Sequence, residues 1–283
     1  MLASMAHTVD QPVRTVVTIR DVRGADELRA AQELQRRAWG ITEDGYVLPV
    51  ATMAGAQKVG GLILGAFDTQ NRLVGFAFAF LGRLKDRLIL YSQLTGVHPA
   101  HQSTGVGRLL KFEQRRRAAQ MGLEAVVWAF DPLQASNAAF NLGVLGATSG
   151  TYEIDMYGSR SDTLNVGLAT DRLFAEWSTA VQPTPRTEVW PDTLDLVESE
   201  PGDSPKSRRV TRVRELASQA THLAIEVPAS IANVKSHDSL AAAQDWQRAL
   251  RESFQAAFEA GFVAVGFSRA QLDRPRYLLE RSR

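Results

Sequence analysis

Between Gly61 and Val97 the chain places its apolar residues in three short runs: Gly61–Phe67 (GLILGAF), Leu73–Leu81 (LVGFAFAFL) and Leu88–Val97 (LILYSQLTGV). None approaches the roughly 20 apolar residues that cross a bilayer. The polar break Asp68–Arg72 (DTQNR) has turn chemistry, so the first two runs predict a hairpin. The third run extends it to a meander. Near-continuous apolar strands must be covered on both faces, so helices are expected on either side of this sheet.

The flanking segments supply them. Val16–Arg20 (VVTIR) predicts a first strand, and Asp26–Trp39, with Leu28, Ala31 and Ala38, an amphipathic helix. Tyr46–Gln57 predicts a weaker helix, broken near Pro49. After the meander come the loop Pro99–Gly107, a helix to Met121, the buried strand Ala125–Phe130 (AVVWAF), and the helix Ser136–Leu145 ended by Gly146. This order predicts an α/β fold with a mixed sheet.

Composition changes after Trp177. Pro183, Pro185, Pro191, Pro201 and Pro205, with the acidic stretch Asp192–Glu200, predict a linker or excursion over 178–208. Beyond it lie a strand at His222–Val227, a long helix at Leu240–Ala260 and strands at Phe262–Phe267 and Arg276–Glu280. Trp246, Leu250, Phe254 and Phe258 recur every four residues along that helix, and Gly261 caps it. Strand, x-Pro, helix, Gly and strand over Ile225–Phe267 echo Leu94–Phe130, without its glycines. The expected domains are a flexible tail at 1–14, a first domain at 15–177, the 178–208 segment, and a C-terminal α/β half at 209–283.

The 283 residues are 45% hydrophobic and 22% charged, which excludes general disorder. Thirty-two basic against 31 acidic residues argue against a strongly basic nucleic-acid-binding domain. The lack of cysteine excludes disulfides, thiolate zinc sites and cysteine nucleophiles. Five histidines, of which only His98 and His101 lie near one another, give no metal-ligand pattern, so no metal is expected. The N-terminal MLASMAHTVDQPVR lacks a charged segment followed by an apolar one, and the chain is expected to be soluble and cytoplasmic, with no membrane partner.

Chemistry concentrates at Val97-His98-Pro99-Ala100-His101-Gln102-Ser103-Thr104-Gly105-Val106-Gly107-Arg108, which leaves a strand and opens a helix. The first N–H groups of a helix are unpaired and lie at the positive end of its dipole. Gly105 and Gly107 remove side chains that would keep an anion away from them, so a phosphate or pyrophosphate is the expected ligand, and a plain helix start the alternative. The Gly-Lys-[ST] of a P-loop is absent, and Gly105-Val106-Gly107 lacks the third glycine of a dinucleotide fingerprint.

At these residues the chain resembles the GCN5-related N-acetyltransferase (GNAT) superfamily. Val97, Pro99, Gln102, Gly105 and Gly107 match its V-x-P-x-x-[QR]-x-x-G-x-[GA] signature. Ser103 stands where a glycine is usual. Asn137-Ala138-Ala139-Phe140 with Leu145-Gly146-Ala147 resembles the family's second element. The resemblance covers roughly Val16–Trp177. Gly60-Gly61, Leu110-Lys111, Gln114-Arg115, Tyr157-Gly158, Leu164-Asn165 and Asp171-Arg172 resemble a bacterial and archaeal branch, with relatives linked to N-acylation or N-succinylation of amino acids. That branch often carries two histidines where this chain has Tyr91 and Gln93.

The resemblance implies a GNAT-like splayed, mixed sheet flanked by helices, followed by a degenerate GNAT-like C-terminal half. It implies an N-acyltransferase whose cosubstrate is acetyl-CoA or another acyl-CoA and whose acceptor is a small amine such as an amino acid. Gln102, Ser103, Thr104, Gly105, Val106, Gly107 and Arg108 would bind the pyrophosphate. Leu94, Gly96 and Val97 would pair with the pantetheine amides, Asn137 would meet the pantetheine arm, and the splayed fourth and fifth strands would admit the thioester.

The family's usual proton-donating tyrosine is Leu142 here. Tyr152 or Tyr157 could stand in, with Tyr157 preferred, and Tyr91 could orient a water toward the amine. Plainer roles compete. These tyrosines could pack, Asp131 could form a turn, and His98 and His101 could lie on the surface. Arg108, Lys111 and Arg115 could be a solvated stripe or a 3′-phosphate contact. A coenzyme A-binding module without catalysis and an RNA-associated protein, suggested by Arg115-Arg116-Arg117, are the rival functions. Assembly, including a homodimer, stays open.

Overall fold

A computed structural model of the chain describes residues 16–41, 43–158, 166–181, 184–203 and 207–282. The tail 1–14, Leu164, Asn165, Pro183 and Pro205 lie outside the described residues. The chain forms two compact units, Met1–Leu81 with Ser92–Arg117 and Gly82–Tyr91 with Ala118–Arg283. This division runs elsewhere than the sequence boundary at Trp177.

The first unit contains β1 (Thr18–Asp21), α1 (Gly24–Trp39), α2 (Val50–Lys58), β2 (Leu62–Phe67), β3 (Leu73–Leu84) up to Leu81, β4 (Arg87–Val97) from Ser92, and α3 (Val106–Gln120) to Arg117. Its strand order is β1-β2-β3-β4, with β1 and β3 antiparallel to β2. Helix α1 forms where the charge and apolar patterns agree. Asp26 and Glu27 sit in its first turn, Arg36 and Arg37 in its last, and Gly40 ends it at φ 63°. Leu28, Ala31 and Leu34 pack on Met53, Ile63, Phe76 and Phe78. The weak second helix is a short turn at Asp44–Tyr46 followed by α2, parted at Pro49 as the sequence predicts.

Strand β4 departs from simple alternation. Residues 92, 94 and 96 of a regular strand share one face. Ser92, however, bonds Lys111 of α3, while Leu94 packs on the α1 core and a Cβ at Gly96 would meet Trp39 and Phe76. Phe76 and Gly75 show that these are opposite faces: Phe76 joins the α1 core, and a Cβ at Gly75 would meet Val106 and Leu110 of α3. Side-chain direction therefore slips by one residue between Ser92 and Leu94, as an inserted residue makes it do.

In the second unit, β5 (Ala125–Phe130) is parallel to the start of β4, from Ile89↔Ala125 to Tyr91↔Val127, and antiparallel to β7 (Arg172–Ser178). This parallel and antiparallel mixture is the expected sheet type. The edge strand β6 (Tyr152–Glu153) pairs with β7. The helix expected at 136–145 is one α-helical turn, α4 (Ala135–Ala138), continuing as a π-helical turn at Ala139–Val144. Leu142 is buried in that turn.

The Pro-rich segment carries β8 (Leu194–Asp195) and β9 (Val197–Pro201), and β9 pairs with β10 (Arg208–Val213). Leu196 and Val197 are buried, so this part of the expected linker or excursion contributes to the core. The C-terminal block follows as β11 (His222–Glu226), α5 (Ile231–Asn233), α6 (Leu240–Glu259), β12 (Phe262–Ser268) and β13 (Arg276–Arg281). Its sheet order is β12-β13-β11-β8. The element order of the expected half-copy is present, but its strand adjacency is not. β13 lies antiparallel between β11 and β12, so these two do not pair as β4 and β5 do.

Trp246, Leu250 and Phe254 of α6 are buried, and Phe254 stacks on Tyr152 at 5.7 Å. Truncation after Trp177 is expected to expose this face and leave Asp171 without Arg251, giving aggregated product. Soluble yield and size-exclusion chromatography check this. A soluble, monodisperse 1–177 fragment would make the C-terminal block dispensable for folding.

Candidate functional site

The first unit builds the Pro99–Gly107 turn, the expected anion site, from backbone. His98 N–H donates to Val74 O (2.9 Å), tying the end of β4 to β3. A short 3₁₀ turn at Pro99–His101 follows, and Thr104 Oγ1 donates to His101 O (2.7 Å). Gln102 Nε2 donates to Val97 O (3.2 Å), so this side chain holds the turn together. Ser103 and Gly105 have φ of 62° and 94°, both in the left-handed region. Ser103 thus keeps the backbone conformation that a glycine adopts at little cost. The bond from Leu109 N–H to Gly105 O (3.1 Å) closes the first turn of α3, and the N–H groups of Val106, Gly107 and Arg108 precede it. A Cβ at Gly105 meets nothing within 4 Å, and one at Gly107 meets only Val97 Cγ2 at 3.7 Å.

The other expected coenzyme residues divide. Arg108 is exposed and Val97 half-buried. Leu94 turns its side chain into the α1 core, which leaves only its backbone for a ligand. Gly96 is tightly packed, since a Cβ would lie 3.0 Å from Trp39 Cη2 and 3.1 Å from Phe76. Asn137, exposed on α4, belongs to the second unit.

The stripe expected along α3 does not form a uniform solvated face. Lys111 is buried, with Nζ 2.9 Å from Ser92 Oγ, and Ser92 Oγ donates to Gln114 Oε1 (3.0 Å). Burial pushes the Lys111 amine down to about 7. The charge of Arg115-Arg116-Arg117 is largely committed within the fold. Arg116 and Arg117 bond Glu113, and Arg117 also reaches Asp21. In sequence Lys111 reads only as one of three basic residues spaced three and four apart on α3, with nothing to mark it as buried.

In the second unit the two tyrosines picked from sequence meet. The Tyr91 and Tyr157 hydroxyls are hydrogen-bonded. Burial first, then Tyr157, raises the Tyr91 pKa well above the usual phenol range. Tyr157 is 46% exposed, with the Arg172 guanidinium 5.1 Å from its ring centre. Tyr152, the alternative donor, spends its proton on Asp171 Oδ2 (2.7 Å). Asp131 accepts from Leu133 N–H (2.9 Å) and Gln134 Nε2 (3.2 Å), and so forms the turn after β5. Burial raises the Asp131 carboxyl above its ordinary value. The described residues hold no group of three or more His, Asp or Glu able to bind a metal, and no helix long and apolar enough to cross a membrane.

No family model matches the chain, and no curated protein matches it. Among solved structures it is similar to GNAT-type acetyltransferases. The GNAT superfamily phosphinothricin acetyltransferase from Sinorhizobium meliloti, solved with acetyl-CoA, is 22% identical, covering 62% of this chain and 96% of that one, at a TM-score of 0.47. The proposed acetyltransferase yncA from Salmonella typhimurium, solved with acetyl-CoA, is 21% identical, covering 61% and 99%, with a TM-score of 0.48. Arabidopsis thaliana NAA60, bound to a bisubstrate analogue, is 11% identical, covering 58% and 98%, with a TM-score of 0.46.

Two substitutions separate the anion turn from the fold. Gly107→Glu has space and an ordinary φ, and a carboxylate at a helix start favours the helix. It is expected to keep the parent melting temperature yet weaken coenzyme A binding about 10- to 100-fold by like-charge repulsion. Gly105→Glu adds left-handed strain and is expected to lower both. Calorimetric titration with parallel thermal melts checks the pair, and parental affinity in Gly107→Glu would remove the turn from the site.

Lys111 sets a pH dependence of stability. The unfolded chain protonates this amine below about 10.5 and the folded chain only below about 7. Between these values the unfolded state binds more protons, so stability rises with pH and is lost as pH falls toward 7. The limiting slope is about 1.4 kcal/mol per pH unit. Urea melts from pH 7 to 10 are expected to show this rise in the parent and its loss in Lys111→Met. Equal slopes would mean that the buried amine stays protonated.

Proposed function

We propose that the chain is an acyl-CoA-dependent N-acyltransferase of the GNAT type, moving an acetyl or succinyl group to a small amine such as an amino acid. The observation that carries this reading is the Gln102–Arg108 turn. Its sequence matches the family signature, and its backbone leaves Gly105 and Gly107 open beside the unpaired N–H groups that start α3. In this reading domain 15–177 carries the transferase, 178–208 is the excursion and 209–283 the added C-terminal half. Asn137 takes the pantetheine contact that the family resemblance implies.

The reaction asks little of side chains. A neutral amine attacks the thioester carbonyl, the C–N bond forms, the C–S bond breaks, and the amine loses a proton while the thiolate gains one. Positioning alone contributes on the order of 7–11 kcal/mol in favourable cases. Tyr157 is assigned the proton donation to the thiolate, because its hydroxyl is held by Tyr91 while its ring is partly exposed. Tyr91 is assigned to positioning, and to orienting water at the amine. Buried Leu142 removes the family's usual donor and keeps a second reading in view, a coenzyme A-binding module without turnover.

Millimolar coenzyme A is expected to raise the melting temperature, with linkage adding about 2.7 kcal/mol at a hundredfold excess over Kd. A thiol-release screen of acetyl-, propionyl- and succinyl-CoA against amino acids and polyamines then tests transfer. Tyr157→Phe is expected to lower kcat about tenfold to a thousandfold, and Tyr91→Phe less, with coenzyme affinity kept. No thermal shift would end the assignment. A shift with no thiol release from any pair would favour the binding module.

A further inference from the structure

The C-terminal block makes one set of polar contacts that its core packing does not require. Helix α6 carries Gln244, Gln247 and Arg251 at spacings of three and four, on one face. All three grip the segment that leads into β7. Gln244 Nε2 donates to Gly167 O (3.2 Å). The Gln247 amide takes both backbone groups of Ala169, accepting from N–H (3.0 Å) and donating to O (2.7 Å). Arg251 binds Asp171 through two bonds, Nε to Oδ2 and Nη2 to Oδ1, each 3.0 Å.

The gripped segment in turn holds the turn that carries Tyr157. Asp171 Oδ1 accepts from Asp155 N–H (3.1 Å), and Thr170 N–H donates to Asp155 Oδ1 (3.0 Å). Thr170 O accepts from Met156 N–H (3.1 Å). Thr170 Oγ1 accepts from Tyr157 N–H (2.8 Å) and donates toward Gly158 O (3.2 Å). The turn itself needs holding, since Asp155 and Gly158 have φ of 47° and 67°. Every backbone N–H from Asp155 to Gly158 is thereby engaged, Gly158 N–H by Asp155 O (3.1 Å).

We propose that α6 is a clamp that positions the Tyr157 phenol, with Arg251 and Gln247 as positioning residues acting through Asp171 and Ala169. The proposal rests on the transferase reading, and it gives the C-terminal block a part in the reaction. Neither glutamine nor arginine touches substrate. Their effect passes through the 169–171 backbone to the 155–158 turn, and from there to the hydroxyl that meets Tyr91.

The test uses the full chain with Arg251→Leu, Arg251→Lys and Gln247→Met. Amide hydrogen exchange at Tyr157 and Met156 reads the clamp without any need for activity. Steady-state kinetics read its consequence. Arg251→Leu and Gln247→Met are expected to speed exchange at both amides and lower kcat about tenfold, with KM for acyl-CoA held within about twofold. Arg251→Lys is expected to restore part of both. Adding Tyr157→Phe to Gln247→Met is expected to cost nothing beyond Tyr157→Phe alone, since both remove one function. If Arg251→Leu does not fold, Gln247→Met, which keeps the Asp171 pair, carries the test. Unchanged exchange in Gln247→Met overturns the clamp whatever the activity. Additive losses in the double variant overturn action through Tyr157. Faster exchange in a chain whose parent releases no thiol instead overturns the transferase reading and the purpose assigned to the clamp.

Discussion

The buried carboxylate of Asp171 is the interaction on which the second unit most depends. It is 1% exposed, and its two oxygens accept from Arg251, from the Tyr152 hydroxyl and from the Asp155 N–H. A carboxylate so far from water survives only with near-complete pairing. Loss of one partner from such a pair costs about 3–5 kcal/mol, a large share of a typical domain's stability. The bonds here come from a helix, a strand edge and a turn distant in sequence. One buried side chain thus makes the order of α6 and the order of the 152–158 region a single condition.

Much of this fold was legible in the sequence because its signals are local. Val126 and Trp128 sit in a short apolar run that reads as a buried strand, and Leu28, Ala31 and Ala38 among charged residues read as an amphipathic helix. The Pro99–Gly107 turn into α3 was legible for the same reason, since glycines, a preceding proline and a strand-to-helix change lie within a dozen residues. The order β12-β13-β11 was not legible. Periodicity reports which residues form strands and is silent on which strands become neighbours, so a half-copy of the first sheet and the observed sheet present the same pattern until β13 is placed.

The polar residues that matter most escaped for a related reason. Lys111 lies between Leu110 and Phe112, and nothing local tells whether its amine faces water or Ser92. Long basic side chains usually keep their charged ends in solvent. Here burial, together with the hydroxyl of a strand whose alternation has slipped, decides otherwise. Arg251 had a clearer sign, because Gln244, Gln247 and Arg251 mark a polar stripe beside the apolar one of Trp246, Leu250 and Phe254. Such a stripe is ordinarily a solvated face. Only the backbone of 167–171, arriving from far along the chain, buries Gln247 and covers part of Arg251, while Gln244 stays exposed.

The arrangement around Tyr157 resolves a conflict between access and order. A phenol in the role proposed for Tyr157 must reach the reacting atoms, so its ring cannot be fully enclosed, and Tyr157 is 46% exposed. Ordering a side chain and its backbone costs on the order of 1–2 kcal/mol for each. That cost is met by groups other than the ring. Thr170 and Asp171 engage the backbone, α6 engages those residues, and Tyr91 meets the hydroxyl. Tyr157 is in this way held from its backbone and from its tip, with the Arg172 guanidinium 5.1 Å from the centre of the ring between.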